Sequence, residues 1–230
     1  MDASLRRRLL ALTITVLLVL PLSVVAARWQ WTRHLEREAV NSLLREAVAT
    51  PVADFPGPLR NGYQSTDRYR QVRVSGRWDG SEQWLLRRSV VNGRVGFAVV
   101  TAFVSESGER LFAIRGWLPE PEVPPVDAAP ETVVLRIQPL SGETGPQPAD
   151  LPARQLNWVA PAELAAGQPF VNALFELVDP VPAPLVAIPL PAEEAGPHVG
   201  YTIQWILIGL TAVVVYVRVM RRELQDSNEN

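Results

Sequence analysis

Residues 9–27 read LLALTITVLLVLPLSVVAA, and residues 198–217 read HVGYTIQWILIGLTAVVVYV. Each stretch is close to the ~20 residues that a helix needs to cross a hydrocarbon core ~30 Å thick. Residues 28–197, between them, have the mixed polar and apolar composition of a water-soluble domain. The sequence therefore predicts a membrane protein in which two transmembrane helices flank one outer domain, with both termini on the same side of the membrane.

The arginines beside the two apolar stretches predict the orientation. Residues 6–8 are all arginine and precede the first stretch, and Arg218, Arg221 and Arg222 follow the second. Positive residues next to a span stay preferentially in the cytoplasm. All 22 basic residues are arginine, and alanine and proline are abundant, as is typical of a GC-rich bacterial genome. We therefore expect a multi-pass protein of the bacterial plasma (inner) membrane whose main domain lies on the periplasmic, outer face.

These features divide the chain into six predicted segments. They are a cytoplasmic N-terminus (1–8), a first transmembrane helix (9–27), its helical extension (28–50), a β-rich periplasmic domain (51–197), a second transmembrane helix (198–217) and a cytoplasmic tail (218–230). The alternative for the first apolar stretch is a cleaved signal peptide, for which residues 25–27 offer a cleavage site. Its length exceeds the usual signal-peptide core of about 7–15 residues, which favours a retained anchor.

Hydrophobic periodicity predicts the secondary structure of the outer domain. Apolar residues recur at helical spacing over residues 28–48. Runs of alternating polarity predict short strands at 69–78, 83–90, 95–103, 111–118, 132–138, 155–159 and 170–178. Asn92-Gly93 is the strongest hairpin signal, because both residues tolerate positive φ. The pattern predicts an α+β fold class with one small antiparallel, barrel-like β-rich domain.

Composition excludes several kinds of chemistry. The chain has no cysteine, so it can have neither a disulfide framework nor a thiolate nucleophile. A net charge of −2 gives nucleic-acid binding no electrostatic support. The sequence contains no Gly-rich phosphate loop, no metal-ligand spacing and no hydrolase serine motif. These observations predict a protein that is not an enzyme. The two apolar stretches predict the lipid bilayer as one of its partners.

The two histidines, His34 and His198, are both expected near the outer membrane surface. His198 begins the second apolar stretch, and His34 lies about two helical turns beyond the first. A neutral imidazole at this depth could ligate an iron centre such as haem. The alternative is that an interfacial histidine only hydrogen-bonds lipid headgroups and water. We adopt that alternative for His34, and the residues alone leave both interpretations open for His198.

Other side chains near the same surface have simpler explanations, with one exception. Trp29, Trp31, Tyr201 and Trp205 have the positions expected of an aromatic belt at the membrane interface. Gln204 lies further inside the second stretch, where an amide without a partner is costly. We therefore expect Gln204 to face another helix or a bound ligand.

Three segments together resemble the Surfeit locus protein 1 family of cytochrome c oxidase assembly factors. Their order, their spacing and the two-span layout all match that family's pattern. The segments are Trp29-Gln30-x-x-Arg33 after the first span; Tyr69-x-x-Val72-x-Val74-x-Gly76-x-Trp78-Asp79, Gly96-Phe97 and Ile114-Arg115-Gly116-Trp117 in the central part; and His198-x-x-Tyr201-x-x-Gln204-Trp205 at the start of the second span.

The resemblance implies a role in maturing the core subunit of a haem-copper oxidase. It implies binding of haem a and help with its insertion into that subunit, with haem A synthase as a further candidate partner. His198 would ligate the haem iron, and Tyr201, Gln204 and Trp205 would line the same helix face. Arg115 would pair with a haem propionate, or alternatively form a structural salt bridge inside the outer domain. The competing function is a haem-free membrane scaffold that binds oxidase subunits or other assembly factors.

Overall fold

The computed structural model describes residues 3–140, 145–193 and 195–228. Residue contacts divide the chain into two compact units. The helical unit comprises the described residues up to Ser42 and those from Glu193 onward, and the sheet unit spans Leu43–Ala192.

Two long helices define the ends of the chain. Helix α1 spans Ala3–Ala49 and continues through Pro21, and helix α3 spans His198–Asn228. By length and composition, both are able to cross a membrane, over Arg6–Ala49 and His198–Glu223. Only 6% of the most apolar window of each helix is buried, so neither has the surroundings of a core helix in a soluble protein. The helix continues well beyond the first apolar stretch, as the periodicity of residues 28–48 predicts.

Small residues let the two helices approach each other within the helical unit. A Cβ atom added at Gly209 of α3 would lie 3.3 Å from the Cβ atom of Ser23 on α1. Nearer the chain ends, the hydroxyl groups of Thr13 and Tyr216 lie 3.3 Å apart. Contacts between the start of one helix and the end of the other make the pair antiparallel. Close packing at small residues is the usual way in which helices associate in lipid.

The described residues of the sheet unit form seven strands, one short α-helix and two one-turn 3-10 helices, Gly57–Leu59 and Ser65–Asp67. Five of the strands pair in a circuit, in which β2, β3, β4, β7 and β5 follow one another and β5 also pairs with β2. The elements are β1 (Ala53–Asp54), β2 (Gln71–Val91), β3 (Arg94–Ser105), β4 (Arg110–Leu118), β5 (Glu131–Gln138), β6 (Gln155–Leu156), α2 (Pro161–Leu164) and β7 (Phe170–Asp179).

The sheet is mixed, so the prediction of an antiparallel β-rich domain is confirmed only in part. Strands β4 and β7 pair in parallel, as do the two-residue strands β1 and β6 with β2. The remaining pairings are antiparallel. A parallel pair needs a long crossover connection. The chain between β4 and β7 provides it, because it contains β5, β6 and α2.

Two strand predictions also need correction. The predicted strands at 69–78 and 83–90 are one strand, β2, which continues through the polar sequence between them. Its register with β3 shifts between Asp79 and Gln83 and again between Leu86 and Ser89. Bulges of this kind interrupt the polar–apolar alternation without ending the strand. The strand predicted at 155–159 is shorter and covers only Gln155–Leu156.

The core of the sheet unit lies on both faces of its central strands. Phe103 of β3 packs in one cluster with Val72 and Phe175, whereas its neighbour Ala102 packs in another with Phe112. Successive residues of a strand point to opposite faces, so β3 serves both clusters. All five side chains are fully buried. The sheet unit therefore has a hydrophobic core of its own.

Candidate functional site

The antiparallel packing of α1 and α3 brings two sequence motifs together. Gln30 belongs to the motif that follows the first apolar stretch, and His198 begins the second. The Nδ1 atom of His198 lies 2.8 Å from the Oε1 atom of Gln30, and both side chains are half-buried. This contact joins residues that are 168 positions apart in the chain.

The contact with Gln30 fits one neutral tautomer of the His198 ring. A carbonyl oxygen can only accept a hydrogen bond, so with Oε1 toward the ring the contact is a hydrogen bond when Nδ1 carries the proton. In a neutral imidazole the other nitrogen, Nε2, then keeps its lone pair. Histidines that ligate metals usually donate their second ring N–H to such an oxygen. In that tautomer, His198 has the form that a metal ion requires.

Gly196 lies beside the edge of the His198 ring that contains Cδ2 and Nε2. Its φ of +62° is in the left-handed region that favours glycine. A Cβ atom added there would lie 3.1 Å from Nε2 and 2.8 Å from Cδ2 of His198. A side chain at this position would therefore crowd the Cδ2–Nε2 edge of the ring.

The other predicted ligand-binding residues of α3 do not all share the face of His198. Trp205 is half-buried and lies seven residues, about two turns, along from His198, so helical geometry places it on the same side of α3. Tyr201 is 46% exposed, and Gln204 is exposed as well. Six residues of helix turn through roughly 600°, which leaves Gln204 about 120° from His198. Gln204 therefore lies beside Tyr201 rather than His198 around the helix, and its place beside a ligand stays a prediction.

Gln204 instead lines a groove on the surface of the helical unit. Its neighbours there include Val19 of α1 and Thr211 of α3, and the rest of the lining is apolar apart from the Gly200 backbone. At this position Gln204 could contact a further helix or a ligand. That contact stays a prediction.

The first motif divides between two faces of α1. Gln30 points toward α3, whereas Trp29 is exposed, with the guanidinium of Arg33 5.9 Å from its ring centre. Arg33 also pairs with Glu36 at 2.8 Å. His34 is half-buried, and its ring centre lies 5.3 Å from that of Trp31. Within this motif, the residue that contacts His198 is Gln30.

Arg115 lies in the sheet unit, inside a β-bulge. Gly116 pairs with Val99 and Ile114 with Val100, so Arg115 is an extra residue of β4 with no partner on β3. Gly116 has a φ of +154°, and a Cβ atom there would lie 2.8 Å from Leu185. The bulge re-aims the Arg115 side chain into the domain, where only 4% of the residue is exposed.

The surroundings of Arg115 are an aromatic ring and an amide. Its guanidinium lies 5.4 Å from the ring centre of Trp78, and Nη1 donates a hydrogen bond to Oε1 of Gln83 at 3.3 Å. Burial lowers the pKa of Arg115, although the charge of Glu131 acts in the opposite direction. Among the described residues, no carboxylate forms a salt bridge with Arg115, so the alternative of a structural salt bridge is not observed there. Contact with a propionate stays a prediction.

Other residues of the central motifs pack against one another. A Cβ atom at Gly96 would overlap the carbonyl oxygen of Leu118 and lie 2.5 Å from Cζ2 of Trp117. Trp117 is buried, and its Nε1 donates to the carbonyl oxygen of Ser89 at 3.1 Å. These contacts give the central motifs a structural role in the sheet unit.

A buried ion pair was not anticipated from the sequence. Arg136 of β5 donates to the carboxylate of Glu176 on β7, and Gln138 donates to the same carboxylate. Both charged residues are buried, and burial raises the pKa of Glu176 even though Arg136 lowers it. Arg136 also donates to the carbonyl oxygen of Ile188 at 3.0 Å. The available signal was one charged residue in the interior of each of two apolar strands, whose other charged residues, Glu131 and Asp179, lie at the strand ends.

The fold and its motifs define a class of protein in which two apolar terminal helices flank a mixed β-sheet unit. The model of the SURF1 family matches residues 17–210, a span that includes all three motifs. The chain belongs to the SURF1 (Surfeit locus protein 1) family, which confirms the resemblance drawn from those motifs.

Similar proteins occur in mycobacteria. One is an uncharacterized SURF1-like protein of Mycobacterium bovis, and another is an uncharacterized SURF1-like protein of Mycobacterium tuberculosis. Each is 27% identical to this chain over 227 residues, covering 88% of this chain and 82% of the relative.

Proposed function

We propose that this protein is a non-catalytic assembly factor for a haem-copper oxidase of the bacterial plasma membrane. It binds haem a through His198 and aids its insertion into the oxidase core subunit, with haem A synthase as a candidate source. Helices α1 and α3 span the membrane, and the sheet unit lies on the periplasmic face. Membership of the SURF1 family supports the assembly role, because that family is generally associated with oxidase assembly.

The arrangement around His198 is the observation that carries the haem-binding part of this proposal. A histidine that held haem iron would have to be neutral, with one ring nitrogen lone pair free. The bond to Gln30 favours that tautomer, and Gly196 leaves the Nε2 edge without a side chain over it. Trp205 lies on the same side of α3 and offers an aromatic surface. These residues therefore fit a haem whose iron His198 would hold.

Deletion and complementation test this function. A strain that lacks the protein should make the oxidase polypeptides but show reduced oxidase activity and reduced haem content in the assembled enzyme. The wild-type gene should restore both, and His34→Ala should restore them as well. His198→Ala should fail to do so while still accumulating in the membrane. A deletion strain whose oxidase is fully active and has its full haem content would refute the assembly role.

The groove that contains Gln204 supports a second candidate function, a haem-free scaffold. An exposed amide within an apolar span gains from a hydrogen bond to another helix, and the groove beside Val19 gives such a helix a place to pack. The partner would be an oxidase subunit or another assembly factor. Under this function His198→Ala should restore the oxidase in the deletion strain, whereas Gln204→Leu should not.

We also infer that the five-strand circuit closes as a barrel. Strand β5 pairs with both β2 and β7, so each long strand has a neighbour on both sides. Closure removes the free edges at which other chains add strands. Partners would then bind through side-chain surfaces or through the two helices.

A further inference from the structure

We propose that Gln30 is a positioning residue for His198. Its side-chain carbonyl holds the imidazole as the Nδ1–H tautomer and keeps Nε2 available to the haem iron. This inference rests on the proposed function, in which His198 is the iron ligand.

The amide of Gln30 is the group that decides which ring nitrogen carries the proton. With Oε1 toward the ring, as observed at 2.8 Å, Nδ1 is protonated and Nε2 is free. With the amide reversed, its NH₂ group would donate to Nδ1 and leave the proton on Nε2, which could not then bind a metal. The two orientations of one amide therefore correspond to a ligating and a non-ligating histidine.

The packing of the helical unit fixes the two partners relative to each other. The hydroxyl of Thr202 donates to the carbonyl oxygen of His198 at 2.9 Å and so binds the first turn of α3. Gly209 and Ser23 hold the helices in close contact further along. Gln30 and His198 are both half-buried, so water does not freely replace either one. The hydrogen bond thus forms only when α1 and α3 are paired.

Two substitutions of Gln30 distinguish the effect of the hydrogen bond from the effect of side-chain size. Gln30→Met keeps the length of the side chain and removes the acceptor. Loss of such a second partner of a metal-bound histidine typically weakens metal binding by about 10- to 100-fold, and we expect that loss for haem a here. Gln30→Glu keeps an acceptor and adds a negative charge. It should retain haem a and shift its reduction potential to more negative values, because the imidazole becomes a stronger donor.

The first measurement needs no haem. The protein has only two histidines, so His34→Gln leaves His198 as the single source of imidazole signals in full-length protein labelled with ¹⁵N-histidine. In this background the ¹⁵N spectrum should show a protonated Nδ1. Adding Gln30→Met should produce a mixture of tautomers, and adding Gln30→Glu should restore the protonated Nδ1.

The second measurement is titration of the purified full-length variants with haem a, followed by absorption and by redox titration. Thr32→Val is the matched control, because Thr32 is an exposed residue two positions along α1 whose hydroxyl bonds only to the carbonyl oxygen of Arg28. It should change neither the tautomer nor the affinity. If Gln30 had only a structural role, the Gln30→Glu substitution would not change the reduction potential of the haem.

The outcomes distinguish this inference from the proposed function. A tautomer that depends on Gln30, together with weaker haem binding in Gln30→Met, supports the inference. An unchanged tautomer, or an unchanged haem affinity, in Gln30→Met overturns it, even if the wild type binds haem. If the wild type binds no haem a while the tautomer still depends on Gln30, the proposed function fails, and the role of Gln30 toward iron fails with it.

Discussion

The guanidinium of Arg115 lies 5.4 Å from the ring centre of Trp78, and each residue belongs to a different part of the central motifs. The two side chains are buried in the sheet unit. A buried arginine without a carboxylate partner among the described residues is costly to keep in a core. Its stacking on an aromatic ring offsets part of that cost.

Substitution of Arg115 separates its structural role from the expected propionate contact. Arg115→Ala should lower the unfolding free energy by about 2–4 kcal/mol, because it leaves a cavity beside Trp78. Arg115→Met should cost less than about 1.5 kcal/mol, since it keeps the packing and removes the desolvated charge. Denaturant unfolding of the purified protein measures both. A stable Arg115→Met protein that has lost its haem would instead favour the propionate contact.

Gly96 should tolerate no side chain. Gly96→Ala places a Cβ atom against the Leu118 carbonyl and the Trp117 ring, and backbone atoms cannot move away cheaply. We expect a loss of about 1–3 kcal/mol in unfolding free energy. The control is Gly80→Ala, whose Cβ atom would meet Val126 at an ordinary 3.4 Å. Equal stabilities of the two variants would contradict the packing described for Trp117.

The pH dependence of stability should reveal the raised pKa of Glu176. A carboxyl group whose native pKa lies above its unfolded value takes up its proton first in the folded state. Its contribution to stability is therefore complete below about pH 4.3, the ordinary value for glutamate, and is lost as the pH rises through the native pKa. As the pH falls, the unfolding free energy of the wild type should increase relative to that of Glu176→Gln. A relative decrease would mean that Arg136 lowers this pKa.

Reporter fusions test the topology. A reporter that is active only in the periplasm should be active when fused after Gln138 and inactive when fused after Arg222, because arginines border both apolar helices on the sides that we predict to be cytoplasmic. N-terminal sequencing of the mature protein provides the second check. Cleavage near residue 27 would replace the two-span arrangement with a single span.

Local signals in the sequence predicted most of the secondary structure. The two apolar helices follow from their length, and the hairpin at Asn92-Gly93 is confirmed, with φ values of 50° and 73° between β2 and β3. Each of these features depends on a few adjacent residues. A turn dipeptide or an apolar stretch predicts the same local structure whatever the rest of the chain does.

Features that depend on distant segments could not be predicted in the same way. Three features depend on segments that are distant in the sequence and share no local pattern. They are the parallel pairing of β4 with β7, the Arg136–Glu176 pair and the burial of Arg115. The motifs identified His198 as a candidate ligand but could not identify Gln30 as its partner. That contact arises only from the packing of α1 on α3.

The most direct test of the central claim is the absorption spectrum of protein purified from cells that make haem A. The wild type and His34→Ala should both carry a haem a band, and His198→Ala should lose it or show it shifted while the protein remains in the membrane. Wild-type protein without haem, or His198→Ala protein with an unchanged haem spectrum, would contradict the assignment of His198 as the ligand.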